Sequence, residues 1–179
     1  MTLEADRVTD TPPSLIGNTL SSLRRLPDPR AAIEGLVLFL AVVGAGIWAI
    51  QVGGLVLDPV PSASVGAISL SAFLLPALAE ELVFRSWLPR GAPLPAVASF
   101  LAYVFWHPLQ VILHLPFARP EFTDASFLGL VAWLGLACTL ARVRSGSIWP
   151  GVVIHWGVVV LWLALFGGHP AGAGTVQPG

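Results

Sequence analysis

The stretch LLPALAEELVFRSW, residues 74–87, decides how the rest of the chain reads. Every residue from Pro59 to Ala79 is uncharged, and then Glu80, Glu81 and Arg85 arrive together. An ionisable group carried into a bilayer core costs several kcal/mol on most scales, so charges at the end of such an apolar run mark a functional site by default. The question is whether the surrounding sequence is a membrane protein at all.

The 179 residues are 55% hydrophobic and only 11% charged, with a mean hydropathy of +0.80. A soluble domain carries about 25% charged residues, so this composition belongs to an all-α, polytopic transmembrane helix bundle. There is no lysine, and the arginines sit in short clusters between apolar runs. That distribution excludes a nucleic-acid partner and leaves the lipid bilayer as the surrounding medium. The one cysteine, Cys138, lies in an apolar stretch and reads as a small buried hydrophobe.

A membrane helix needs about 20 mostly apolar residues. Five segments meet or approach that: Ile33 to Leu57, Ser64 to Leu88, Leu94 to Leu115, Ser126 to Ala141 and Ile148 to Phe166. Residues 1–30 form a polar tail without the order of a cleaved signal, with a short amphipathic piece around Leu15 to Leu26. Residues 31–168 form the membrane domain, and 169–179 a disordered C-terminal tail. With the N-terminus cytoplasmic, Arg7, Arg24, Arg25, Arg30, Arg85, Arg90, Arg142 and Arg144 fall on or near the inner side and Arg119 outside. This asymmetry sets the orientation. Trp87 and Trp149 then lie near the inner interface, the other tryptophans read as lipid-facing or packing residues, and Ala41, Ala45 and Ala49 read as a close-packing stripe.

Glu81 and Arg85 are spaced i, i+4 with the acid first, the favourable order for a helical ion pair. Glu80 points about 100° away around the helix and meets only Val83 and Phe84 at i+3 and i+4. It must find a partner on another helix or stay protonated. His107, in FLAYVFWHPLQV, and His155, in WPGVVIHWGVV, are the other polar groups inside apolar runs. At about 1.5 Å per residue from the cytoplasmic ends, Glu80 lies roughly 12 Å deep, His107 roughly 18 Å and His155 roughly 10 Å. The three can share one cavity. Pro108 is a candidate kink. His114 and His169 read as peripheral, and Arg119, Glu121 and Asp124 as a solvated outer loop.

The residues EELVFR resemble the EExxxR motif of the CPBP family, the membrane proteases that include the CAAX-processing endopeptidases and the bacterial Abi proteins. The resemblance runs over residues 70 to 166. Tyr103 stands four before His107, where the family usually has Phe, and His155 matches the second family histidine, but Val159 occupies the position of an Asn or Asp. The resemblance implies an intramembrane endopeptidase. Glu80 would activate a water, His107 would help position it, and His155 would stabilise the oxyanion or orient groups in the cavity. Glu81 and Arg85 would fix the helix end. Val159 removes one polar group expected to hold or polarise the substrate carbonyl, which bears on efficiency and substrate class.

Two glutamates and two histidines are also donors that zinc accepts. There is no HExxH helix, and the resemblance favours a metal-free site; with zinc bound, the ligands would be Glu80, His107 and His155. The expected partner is a membrane-embedded or lipid-modified peptide or protein substrate, and the expected location is the cytoplasmic membrane of a bacterium. Two other readings use the same residues. A catalytically impaired scaffold would explain Val159, and a haem protein with His107 and His155 as axial ligands would leave Glu80 and Glu81 unexplained.

Overall fold

The computed structural model describes residues 14–53, 59–116 and 118–166. These fold as helices throughout, with no strand among the described residues. Helix α1 spans Leu15–Arg24, α2 Pro29–Gly53, α3 Ser62–Ala72, α4 Ala79–Phe84, α5 Pro93–Ile112, α6 Ala125–Ser145 and α7 Trp149–Phe166. Four stretches are long and apolar enough to cross a bilayer: Pro29–Val52, Ser64–Phe84, Pro93–Ile112 and Ala125–Ser145. The α7 helix is equally apolar but shorter. Large apolar side chains such as Leu40, Trp48, Val97, Phe105 and Ile112 are exposed around the bundle, as a lipid-facing surface requires and a water-facing one does not tolerate. The chain is a polytopic helical bundle.

The helix ends follow local chemistry. Asp124 accepts hydrogen bonds from the Ser126 and Phe127 amides and caps α6, Pro93 occupies the first turn of α5, and Gly146 ends α6 with φ +72. The core runs between α2, α6 and α7 through Val42, Leu134, Ala137, Cys138, Ala141 and Ile154. The α2 seam therefore runs through Val42, whereas Ala41 of the expected alanine stripe is exposed and offers its carbonyl to the Trp133 indole.

The short amphipathic piece expected around Leu15 to Leu26 forms α1, which is tied to the bundle by the Trp149 indole on the Leu23 carbonyl, the Ile148 amide on the Ser22 carbonyl, and Thr19 with Ser86. One expectation from sequence changes: the second span is not one continuous helix. It breaks over Phe73–Leu78, where Leu75 has extended dihedrals of φ −137 and ψ 106. Pro76 explains this, because it has no N–H to donate and pushes the residue before it out of the helical region. Pro108, by contrast, lies inside a continuous α5. The terminal segments 1–13 and 167–179, with Arg7 and His169, lie outside the described residues, as does Leu57.

The broken span lies antiparallel along α7. The Val60 amide bonds the Ala164 carbonyl, the Trp156 indole bonds the Ser69 carbonyl, and Glu81 reaches His155 and Gly151. The break thus delivers a new helix start, α4, with Glu80 and Glu81 in its first turn, against the polar stretch of α7. Carboxylates in the first turn also suit the positive end of a helix dipole.

Candidate active site

The carbonyls at the end of α4 and just after it need donors, and most find them within the protein. The Glu81 carbonyl takes the Arg85 and Ser86 amides, Leu82 takes the Ser86 hydroxyl, Val83 takes the Trp87 indole, and Phe84 takes the Ser99 hydroxyl. The carbonyls of Arg85, Ser86 and Leu88 are held by Arg142 from α6. Arg142, an interface charge by sequence, is only 3% exposed. It fixes the end of the motif helix.

Above this end, Arg85 is fully buried and every face of its guanidinium is used. Nη1 lies 2.6 Å from Glu81 Oε1, Nε donates to Thr139 Oγ1 at 3.1 Å, and Nη2 points at the Gly135 carbonyl at 3.4 Å. Its carbon stands 4.1 Å over the centre of the Tyr103 ring, a cation–π contact strengthened by desolvation. Two glycines make room for this. A Cβ on Gly135 would meet Tyr103 Cδ1 at 2.7 Å, and one on Gly151 would meet Glu81 Oε2 at 2.8 Å.

Glu81 Oε1 also receives His155 Nδ1 at 3.1 Å. The other ring nitrogen, Nε2, faces Glu80 Oε2 at 3.7 Å. His155 therefore bridges the two adjacent carboxylates across helices α4 and α7. With Nδ1 donating to a Glu81 that is already paired with Arg85, neutral His155 presents the lone pair of Nε2 towards Glu80. The 3.7 Å gap exceeds a hydrogen bond. Glu80 Oε2 and Glu81 Oε2 are both buried without a hydrogen-bond partner among the described residues, but the Glu80 side chain is 15% exposed while Glu81 is 0% and His155 2%. Glu80 is the edge of the polar cluster that reaches outward.

His107 joins from α5 by a different route. Its Nδ1 lies 3.1 Å from the Tyr103 carbonyl one turn earlier, which leaves Nε2 as the nitrogen for any further partner. The Tyr103 ring meets both His107 and His155 edge-on, at centroid distances of 5.1 and 5.9 Å. The structure thus brings Glu80, Glu81, Arg85, Tyr103 and His155 into one connected cluster. It sets His107 one aromatic ring away, with no ion-pair contact to Glu80. On its far side His107 packs against Phe122 and Phe127. The loop carrying Phe122 is not wholly solvated, since the Glu121 side chain is 8% exposed; only Asp124 of its acids is open. His114 is exposed and peripheral.

Among the described residues no three His, Cys, Asp or Glu side chains form a group placed to hold a metal ion. The Tyr103 ring separates His107 from His155, so Glu80, His107 and His155 do not meet as one ligand set in this arrangement.

Sequence reasoning missed Thr139, Gly135, Gly151 and Arg142, which hold the cluster, and Trp106, whose indole faces Glu80. Trp106 neighbours a site histidine in sequence, the one signal that could have raised it above a packing residue. The glycines carried no signal, because small residues in membrane helices are ordinary packing.

A family model described as type II CAAX prenyl endopeptidase Rce1-like matches residues 62–161. The chain belongs to this family. The matched stretch begins at the first residue of α3 and ends inside α7, so it encloses the broken span, both histidines and the helix that supplies Thr139 and Arg142. Neither a curated protein nor a solved structure matches the chain closely enough to count as similar. Membership in this family makes the chain a membrane protease at family level, and its apolar helices make it an integral membrane protein.

Proposed function

We propose that the chain is an intramembrane endopeptidase that hydrolyses a peptide bond of a membrane-associated or prenylated substrate with a water activated by Glu80. One observation carries this reading: two adjacent carboxylates share one histidine and each keeps one oxygen without a hydrogen-bond partner, but only the Glu80 side chain reaches the outside, 15% exposed against 0% for Glu81. Glu81 Oε1 is shared by Arg85 and His155 Nδ1. Glu80 keeps a free oxygen at the outward edge of the cluster.

In this mechanism a water between Glu80 Oε2 and His155 Nε2 gives its proton to Glu80 as its oxygen attacks the scissile carbonyl. The Glu80 carboxyl then returns that proton to the leaving amine, so the enzyme ends as it began. His155 positions the water by accepting its second hydrogen at Nε2, which aims the water's oxygen at the scissile carbonyl. Arg85 and Glu81 hold the His155 tautomer, and Tyr103 sets the spacing of the two histidines. His107, with Nε2 unengaged by the Tyr103 carbonyl, contributes to binding the substrate carbonyl in place of the polar group that Val159 does not supply.

The basic end of the bundle, where Arg90 bonds the Arg144 carbonyl and Arg144 pairs with Glu34, faces the cytoplasm in this reading, and the membrane is the cytoplasmic membrane of a bacterium. The test compares newly formed protein termini in membranes of cells expressing equal amounts of wild type or Glu80→Gln. Termini found only with the wild type establish proteolysis and name the substrate. Identical profiles in cells whose phenotype still depends on the protein would replace the protease with a membrane scaffold.

A further inference from the structure

A second feature of the molecule lies outside the carboxylate cluster. Between the first halves of α2 and α7 runs an apolar groove of about 410 Å3, lined by Ala32, Leu36, Phe39, Trp149, Val153 and Trp156 among others. Its walls are lipid-facing, with Leu36 and Val153 both 56% exposed. From Trp149 to Gly157 the groove follows α7 inward for roughly 12 Å, which keeps it within one leaflet of a hydrocarbon core about 30 Å thick.

The mouth of the groove is at the basic end. Pro27 lines it on one side and Trp149 on the other, and the residues just before each belong to an arginine cluster. At Gly146 an added Cβ would lie 3.4 Å from Arg25 Cδ and 3.5 Å from Arg90 Cδ, so the two exposed arginines flank this glycine. Arg24 is exposed beside them. Among the described residues no carboxylate lies within ion-pair distance of these three side chains. The nearest acids in sequence are otherwise engaged: Asp28 accepts the Ala31 amide and Glu34 pairs with Arg144. Like charges are thus collected at the end of a chain-length apolar slot.

We propose that this groove seats one acyl chain of an anionic phospholipid of the surrounding leaflet, with its phosphate held between Arg25 and Arg90 beside Gly146. The chemistry is that of basic pockets between membrane helices that select charged headgroups. Charge complementarity picks this occupant: a zwitterionic lipid offers the same phosphate but sets a cation beside it that the arginines repel.

The experiment is lipid titration of the purified, delipidated full chain, read by native mass spectrometry, with phosphatidylglycerol and phosphatidylcholine of matched acyl chains as probes. Phosphatidylglycerol should bind roughly tenfold more tightly. The double variant Arg25→Gln, Arg90→Gln should lose that preference, with phosphatidylcholine binding falling far less than phosphatidylglycerol binding, and Arg25→Lys, Arg90→Lys should keep most of it. Filling the slot with Ala32→Phe, or with the exposed Leu36→Trp should the first variant not fold, should weaken both lipids. Equal binding of the two lipids by the wild type overturns the proposal, as does a preference that survives loss of both arginines. A dimer in the spectrum that Ala32→Phe splits would assign the groove to a second copy of the chain and also overturn it. Because the readout is binding, its failure is separate from any failure of the protease reading.

Discussion

Glu80 and Glu81 are neighbours in the chain and occupy opposite kinds of region. Glu81 lies in a closed polar seam with Arg85, Thr139, Gly135 and His155, its Oε1 shared by Arg85 and His155, and Arg142 closes the helix end below. Glu80 lies at the rim of that seam, 3.7 Å from the nearest histidine nitrogen and with an oxygen that no protein group binds. Each carboxylate leaves one oxygen unmatched, but the one shut in beside Arg85 can only serve the packing of the helices, whereas the one at the rim is open to a partner from outside. That difference in access, on which the proposed roles rest, owes nothing to sequence order.

The sharpest way to break this comparison is to neutralise Glu80. Glu80→Gln should lower proteolysis by roughly 10²–10⁴-fold while leaving thermal unfolding in detergent nearly unchanged, measured on the same preparation. A large loss of melting temperature would show that Glu80 belongs to the structural seam after all. Next in size is Arg85→Met, which strands Glu81 in the interior. It should cost roughly 3–5 kcal/mol, seen as loss of folded protein, and Arg85→Met with Glu81→Gln should recover part of that. If the double variant is no better than the single, the pair is not the unit that holds α4.

Gly151→Ala tests the same seam more gently. The new methyl would sit 2.8 Å from Glu81 Oε2, so it should cost about 1–3 kcal/mol by overpacking and reduce activity in step with the displaced His155. Activity lost with no change in stability would instead place Gly151 on the substrate path. Smaller still is Thr139→Val, which removes one acceptor from Arg85 Nε and should cost about 1–2 kcal/mol. The smallest effect lies outside the membrane. The Ser126 hydroxyl, followed by the Phe127 amide, holds the Asp124 carboxyl below the ordinary carboxylate range. Its folded value is lower than its unfolded one, so the α6 cap stabilises above the unfolded value and is lost as pH falls through the folded one. Asp124→Asn should flatten that acidic limb of the stability profile and leave neutral pH nearly untouched.

Much of this was legible in the chain. Apolar runs at membrane length gave the bundle, and the i, i+4 spacing of Glu81 and Arg85 gave the ion pair, because both are local regularities. The break at Leu75 was available from Pro76 and was not read there; an apolar run reads as continuous when its hydropathy is the only measure. The position of Glu121 went the other way, since a charge in a loop is ordinarily solvated and only the folding of that loop over His107 tells otherwise.

The sequence by itself determined that this chain lives in a membrane, that its few ionisable residues within apolar runs are the ones to examine, and that they resemble a protease motif. Tertiary structure alone decided which groups meet. Only the packing of α7 against α4 places one histidine between two carboxylates, only the close approach of α6 gives Arg142 to the carbonyls of the motif helix, and only the fold puts Tyr103 between the two histidines. Spacing along one helix is fixed by the backbone, whereas the partner across a helix interface depends on which glycines permit close approach, and that is set by the whole bundle at once.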